Sequence, residues 1–144
     1  MPQTNPAGRA LIEEFEGCEL TAYQDSGGIW TIGYGHTGSD VRAGDVITRQ
    51  EADALLANDL VAAEHEVAAA IEVVLTPNEF SALVSWQFNT GAIDSSGGTK
   101  CINENKFQEA WDNHYCLYIH DASGNALPGL VRRRAAERAL FFTP

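Results

Sequence analysis

The chain has 144 residues, 44% hydrophobic and 20% charged, enough to build a core without metal or disulfide staples. Twenty Asp and Glu against nine Lys and Arg give a formal net charge of −11. That argues against nucleic acid as the main partner, because phosphate binding needs a basic face. No apolar run approaches the ~20 residues that span a bilayer, so membrane, disordered and collagen-like classes are excluded.

The segment from Met1 to Arg9 has neither the basic start nor the apolar stretch of a secretory signal. A first helix follows, with Asn5 as N-cap, Pro6 at the first helical position and Gly17 as the stop. Ala7, Leu11 and Phe15 form its apolar stripe, with Ile12 beside it. Leu20 to Tyr23 then lead into the turn cluster Gln24-Asp25-Ser26-Gly27-Gly28, and Ile29 to His36 return as a second arm, which predicts a β-hairpin.

Thr48-Arg49-Gln50-Glu51 is a capping box opening a long helix whose 3.6-residue period runs to Val74. At that length it spans roughly 40 Å and is expected to bridge two lobes. A second capping box, Thr76-Pro77-Asn78-Glu79, starts a helix closed by Gly91. Residues 94–98 read as loop, Phe107 to Trp111 as a short helix, and Asp121 to Asn125 as another loop. After Pro128-Gly129 the last helix is expected to pack through Val131, Ala135, Ala139 and Phe142. The fold class is α+β, mostly helical, with one small N-terminal sheet. No internal repeat is present.

Cys18, Cys101 and Cys116 make an odd count without a C-x-x-C pair, which allows one disulfide with a free thiol, but three reduced thiols are the expectation. His36, His65, His114 and His120 lack zinc-like spacing, and neither metal nor cofactor is expected. Cys18 lies two residues after Glu16, but no His or Asn is placed by sequence to activate it.

Two carboxyls stand out by position. Glu16 ends the first helix, where the negative end of the dipole disfavours an ionised carboxyl, a property useful in a general acid. Asp25 enters the hairpin turn, and with a tip at residues 27–29 it would face Thr31 with Cβ atoms about 5 Å apart. A carboxylate and a hydroxyl so placed hold a water. Two carboxyls in different settings suit glycoside hydrolysis, while a Glu and an Asp nine positions apart also arise as plain solvated surface in so acidic a chain.

Glu16-Gly17, Leu20 to Asp25 and Trp30 to Thr37 resemble the signature of phage-type lysozymes, glycoside hydrolase family 24, the endolysins of tailed phages. The family pattern of Glu, eight residues, Asp, five residues, Thr is met by Glu16, Asp25 and Thr31. Leu75 to Ser85, Phe88 to Gly91, Leu127 to Arg134 and Glu137 to Phe141 also resemble the family, and the likeness is weak only from about Ile93 to Ala126.

The resemblance implies a single lysozyme-like domain over 1–144, with an N-terminal lobe at about 15–50. A bridging helix at about 48–75 would join it to a helical lobe at about 76–144, on which the first helix packs. It further implies an inverting lysozyme that cleaves the β-1,4 bond between N-acetylmuramic acid and N-acetylglucosamine in peptidoglycan. Glu16 would protonate the leaving oxygen. Asp25, with Thr31, would orient water, the two carboxyls standing roughly 6.5–9.5 Å apart. His36 would line the cleft or simply hold the lobe, and Asn89 would meet an acetamido group or merely cap its helix. Trp30 is the best-placed aromatic for stacking on a sugar, whereas Trp86 and Trp111 read as packing. Arg132 or Arg133 would approach Glu16, or belong to a solvated helix face.

The partner implied is a glycan strand met by a monomer, with a holin giving access from the host cytoplasm to the cell wall in the periplasm. Alternatives are a lysozyme-like module that binds glycan without cleaving it, and a lytic transglycosylase. The charge departs from the family expectation, since the wall is itself anionic. Work at a salt concentration that screens repulsion beyond about 8 Å would reconcile the two.

Overall fold

Helix starts written into the sequence recur in the computed structural model, which describes residues 2–144. In α1 (Pro6–Glu16) the Asn5 side-chain oxygen accepts the Gly8 N–H at 2.9 Å. Gly17 ends the helix at φ +71°, a conformation that glycine adopts without strain. Leu11 and Ile12 are buried as the stripe predicts, but Ala7 is exposed and Gly8 is the buried residue. A Cβ on Gly8 would stand 2.6 Å from the Cβ of Ser81, so the glycine is there for close approach.

Three antiparallel strands follow in the order β1 (Glu19–Gln24), β2 (Trp30–Gly33), β3 (His36–Thr37). A hairpin forms where expected, but its returning arm stops at Gly33, and β3 is too short to carry a periodicity signal. The outer edge of β1 is covered by residues 45–47, through Ala22 N–H to Asp45 O and Ile47 N–H to Leu20 O, both at 2.9 Å. This satisfies backbone groups that an open edge would leave exposed.

α2 spans Arg49–Ala70, 22 residues, about 33 Å long, and stops short of the predicted Val74. The Asn103 side chain ends it, donating to Ala70 O at 3.0 Å and accepting the Glu72 N–H at 2.7 Å. Val74 is accordingly 97% exposed. α3 (Pro77–Thr90) opens on the complete Thr76/Glu79 capping box and closes on Gly91 at φ +66°.

α4 (Gly97–Asn103), capped by the Ser96 hydroxyl, lies where the sequence reads as loop and unassigned chain. Its two opening glycines hide it. A Cβ on Gly97 would press on His114 at 2.7 Å and one on Gly98 on Tyr115 at 2.7 Å, so both were kept small for packing. α5 (Phe107–Asn113) leads through a 3-10 turn at Tyr115–Leu117 to α6 (Pro128–Phe141).

The expected face of α6 is wrong. Val131, Ala135, Ala139 and Phe142 are exposed, and the helix buries Arg133, Arg134, Glu137 and Phe141 instead. Ion pairing among these residues offsets the cost of burying charge, so the packed side is not the apolar one.

The chain divides into two compact units, residues 12–61 and residues 2–11 with 62–144. The first holds β1–β3, and Ile32, Tyr34, Val41, Ala52 and Leu56 are buried there. In the second, Trp86 and Trp111 are fully buried with Tyr115 between them, ring centroids at 4.4 and 5.2 Å. Among the described residues no helix is long and apolar enough to cross a membrane.

Candidate active site

Glu16, Asp25, Thr31 and His36 belong to the 12–61 unit. Glu16 is half-buried at the last position of α1. The turn between β2 and β3 runs past it, since a Cβ on Gly35 would lie 3.4 Å from its Oε1. Gly35 has φ +82°, so this position favours glycine both for its backbone and for the room it leaves the carboxyl.

The hairpin turn sits one residue earlier than expected. Asp25 N–H bonds to Ile29 O at 2.9 Å, leaving residues 26–28 as the tip, and Thr31 pairs with Tyr23. Asp25 and Thr31 are therefore not directly opposed. They are diagonal neighbours on one face, with Cβ atoms about 7 Å apart rather than 5 Å. The reason is the Asp25 side chain itself, whose Oδ1 accepts the N–H groups of Gly27 at 2.8 Å and Ile29 at 2.9 Å. Those two bonds pull the turn in and fix the carboxylate. Thr31 is buried and donates its hydroxyl hydrogen to Ile29 O at 3.0 Å. By strand alternation the half-buried Trp30, paired with Gln24, points to the opposite face from Asp25 and Thr31.

His36 places its Nδ1 2.8 Å from Asp59 Oδ2 and its Nε2 3.0 Å from Asp40 Oδ2. Burial works against its protonation, but the two carboxylates outweigh it and raise the pKa above 6.5. Its role in this geometry is to clasp β3 to α2.

Asn89, Arg132 and Arg133 belong to the other unit. Arg132 is exposed. Arg133 is buried, with Nε 3.2 Å from Glu137 Oε2 and Nη2 3.3 Å from both the carbonyl and the hydroxyl of Ser85. It is not part of a solvated face. Asn89 is exposed at the end of α3 and accepts from Arg134 Nη2 at 2.8 Å, so its side chain does more than cap a helix.

Sequence reasoning passed over Arg134, Glu137 and Ser85. Glu137 is fully buried, accepts the Ser85 hydroxyl at 2.5 Å, and pairs with both arginines. Arg134 Nε stands 2.7 Å from Glu137 Oε1 without the alignment of a hydrogen bond, an ionic contact. Burial pushes the Glu137 carboxyl up in pKa, against the pull of the two guanidinium groups. Burial likewise lowers that of Arg134, with Glu137 opposing. The signal was present in the i, i+3 and i, i+4 spacing of Arg134 and Arg133 to Glu137. A hollow of about 330 Å³ beside Asn89 is lined by Thr90, Tyr118, His120 and Leu130 as well.

The family model for phage lysozyme matches residues 13–137. The endolysin of Acyrthosiphon pisum secondary endosymbiont phage 1 is 38% identical over 138 residues, covering 93% of this chain and 94% of that protein. The endolysin of Bacillus phage PZA is 39% identical over 149 residues, covering 96% of this chain and 55% of its own, so the chain spans about half of that relative. Among solved structures, the muramidase domain of SpmX from Asticaccaulis excentricus matches with a TM-score of 0.91 at 38% identity, covering 100% of both chains. The fold is thus the lysozyme-like fold of phage endolysins.

Proposed function

Because the chain belongs to the phage lysozyme family, we propose that it hydrolyses the β-1,4 bond between N-acetylmuramic acid and N-acetylglucosamine in peptidoglycan. Glu16 is the general acid, and Asp25 with Thr31 holds the attacking water. The observation that carries this reading is the state of the hairpin pair. Asp25 is pinned through Oδ1 by two backbone N–H groups, and Thr31, its hydroxyl hydrogen given to Ile29, can only accept from a water.

A water between them donates one hydrogen to Thr31 Oγ1 and the other to the Asp25 carboxylate. Its lone pair is then left for the anomeric carbon. As it attacks, the proton passes to Asp25 while Glu16 protonates the departing glycosidic oxygen, and the configuration at the anomeric carbon inverts. We also read Asn89, with the hollow beside it, as a sugar-contacting position. The muramidase named in the SpmX structure and the endolysins among the sequence relatives support the substrate class.

Digestion of purified peptidoglycan by the wild type and by Glu16→Gln tests the assignment. The expected products carry one added water and appear first as the α-anomer, and Glu16→Gln yields none while keeping its circular dichroism spectrum. An anhydro-sugar would identify a lytic transglycosylase instead. Binding of glycan without any product would make the chain a non-cleaving module.

A further inference from the structure

We propose that Glu137 is a positioning residue that works through Arg134. It fixes the Asn89 side-chain amide with its NH₂ group outward, so that the adjoining hollow selects an acetamido carbonyl oxygen. The inference deepens the glycan reading given above and rests on it for the class of ligand.

The chain of contacts runs from the interior to the surface of one unit. Glu137, with no exposed surface, is anchored by the Ser85 hydroxyl at 2.5 Å and Arg133 Nε at 3.2 Å. Its two oxygens hold Arg134, Oε1 at 2.7 Å from Nε and Oε2 at 3.2 Å from Nη2. Arg134 reaches outward with both arms. Nη1 donates to the Tyr118 carbonyl at 3.2 Å and Nη2 to Asn89 Oδ1 at 2.8 Å.

Tyr118 and Asn89 both line the 330 Å³ hollow, whose size suits a small-molecule site. One buried guanidinium therefore fixes two residues of its wall. Arg134 holds the Asn89 oxygen on its own side, so the edge of the amide turned away from the guanidinium is the NH₂ group with its two N–H donors. A carbonyl, which only accepts, matches that surface.

The cost of the arrangement also points away from a purely structural purpose. Buried ion networks are commonly replaceable by apolar residues with no loss of stability, and their better-attested use is to specify a geometry. A neutral amide at position 137 would lack the charge that holds Arg134 against its own desolvation.

The test uses the 144-residue chain carrying Glu16→Gln, so that ligands are not cleaved, and titrations followed by NMR. The probes are the tetramer of N-acetylglucosamine and cellotetraose, both uncharged, so that the acidity of the protein favours neither. The parent should prefer the acetamido ligand by about tenfold, the scale of one to two hydrogen bonds. Glu137→Gln should bring the two within about twofold by weakening the acetamido ligand alone. Added to Asn89→Ala, it should change nothing further.

Arg134→Lys guards against misfolding of Glu137→Gln. It keeps a charge for Glu137 but has no second arm for Asn89, and it should lose the preference in the same way. A preference that survives in folded Arg134→Lys or Glu137→Gln overturns the proposal. Equal weakening of both ligands, or a parent that binds neither or shows no preference, does so too. A wild type that binds with the stated preference yet fails to hydrolyse peptidoglycan would sink only the catalytic reading.

Discussion

Replacing Asp59 with Asn probes the His36 clasp and carries a pH signature. The carboxylates of Asp59 and Asp40 overcome the effect of burial and hold the His36 pKa above 6.5. A group with a raised folded pKa contributes stability that is complete below the unfolded value, and that stability is lost as pH rises through the folded one. The window therefore opens near pH 6.5 and extends upward. Asp59 dominates, because its side chain is 26% exposed against 65% for Asp40, with His36 at 12%.

A charge-assisted hydrogen bond between groups so sheltered contributes about 1.5–3 kcal/mol. For a domain of this size that is about 3 °C of Tm per kcal/mol. Asp59→Asn should thus lower Tm by roughly 5–9 °C at pH 5.5, and the gap should shrink as pH approaches 9. Circular dichroism melts of both proteins at steps of half a pH unit measure it. A gap that is constant, or that widens with pH, would refute a cationic His36 held by Asp59.

Gly8→Ala should destabilise, against the usual gain of about 1 kcal/mol for alanine in a helix, because the new methyl meets Ser81 at 2.6 Å and Thr4 at 2.9 Å. A net loss of about 1–2 kcal/mol in urea unfolding is expected, and a gain would mean that α1 does not press on Ser81. Asn103→Ala removes the partners of Ala70 O and Glu72 N–H, costing about 1–2 kcal/mol. Hydrogen exchange at Glu72 should quicken, and unchanged protection would count against Asn103 as the stop of α2.

The residues 12–61 carry ten carboxyl groups against Arg42, Arg49 and His36, so repulsion from an anionic wall falls mainly on the unit holding Glu16. Wall clearing should rise from low salt toward about 0.15 M, where the screening length is about 8 Å. Activity that is greatest at the lowest salt would contradict this.

The amino-acid sequence alone determined what local chemistry controls. Asn5, Pro6 and Gly17 delimit α1, Thr76 and Glu79 open α3, and the Gly-rich run after Asp25 makes the hairpin, because caps and turns are settled by residues a few positions apart. The spacing of Glu16, Asp25 and Thr31 was legible in the same way. Tertiary structure decided the rest, wherever a distant side chain outweighed the local pattern. Asn103 ended α2 before Val74, His114 and Tyr115 required the glycines that disguise α4, and Asp25 drew the hairpin into a register that its own sequence allowed but did not select. Most of all, the packed face of α6 followed ion pairs and not hydrophobicity. Whether a charge can be buried depends on a partner such as Ser85, 52 residues from Glu137 along the chain, and only the fold brings that partner within reach.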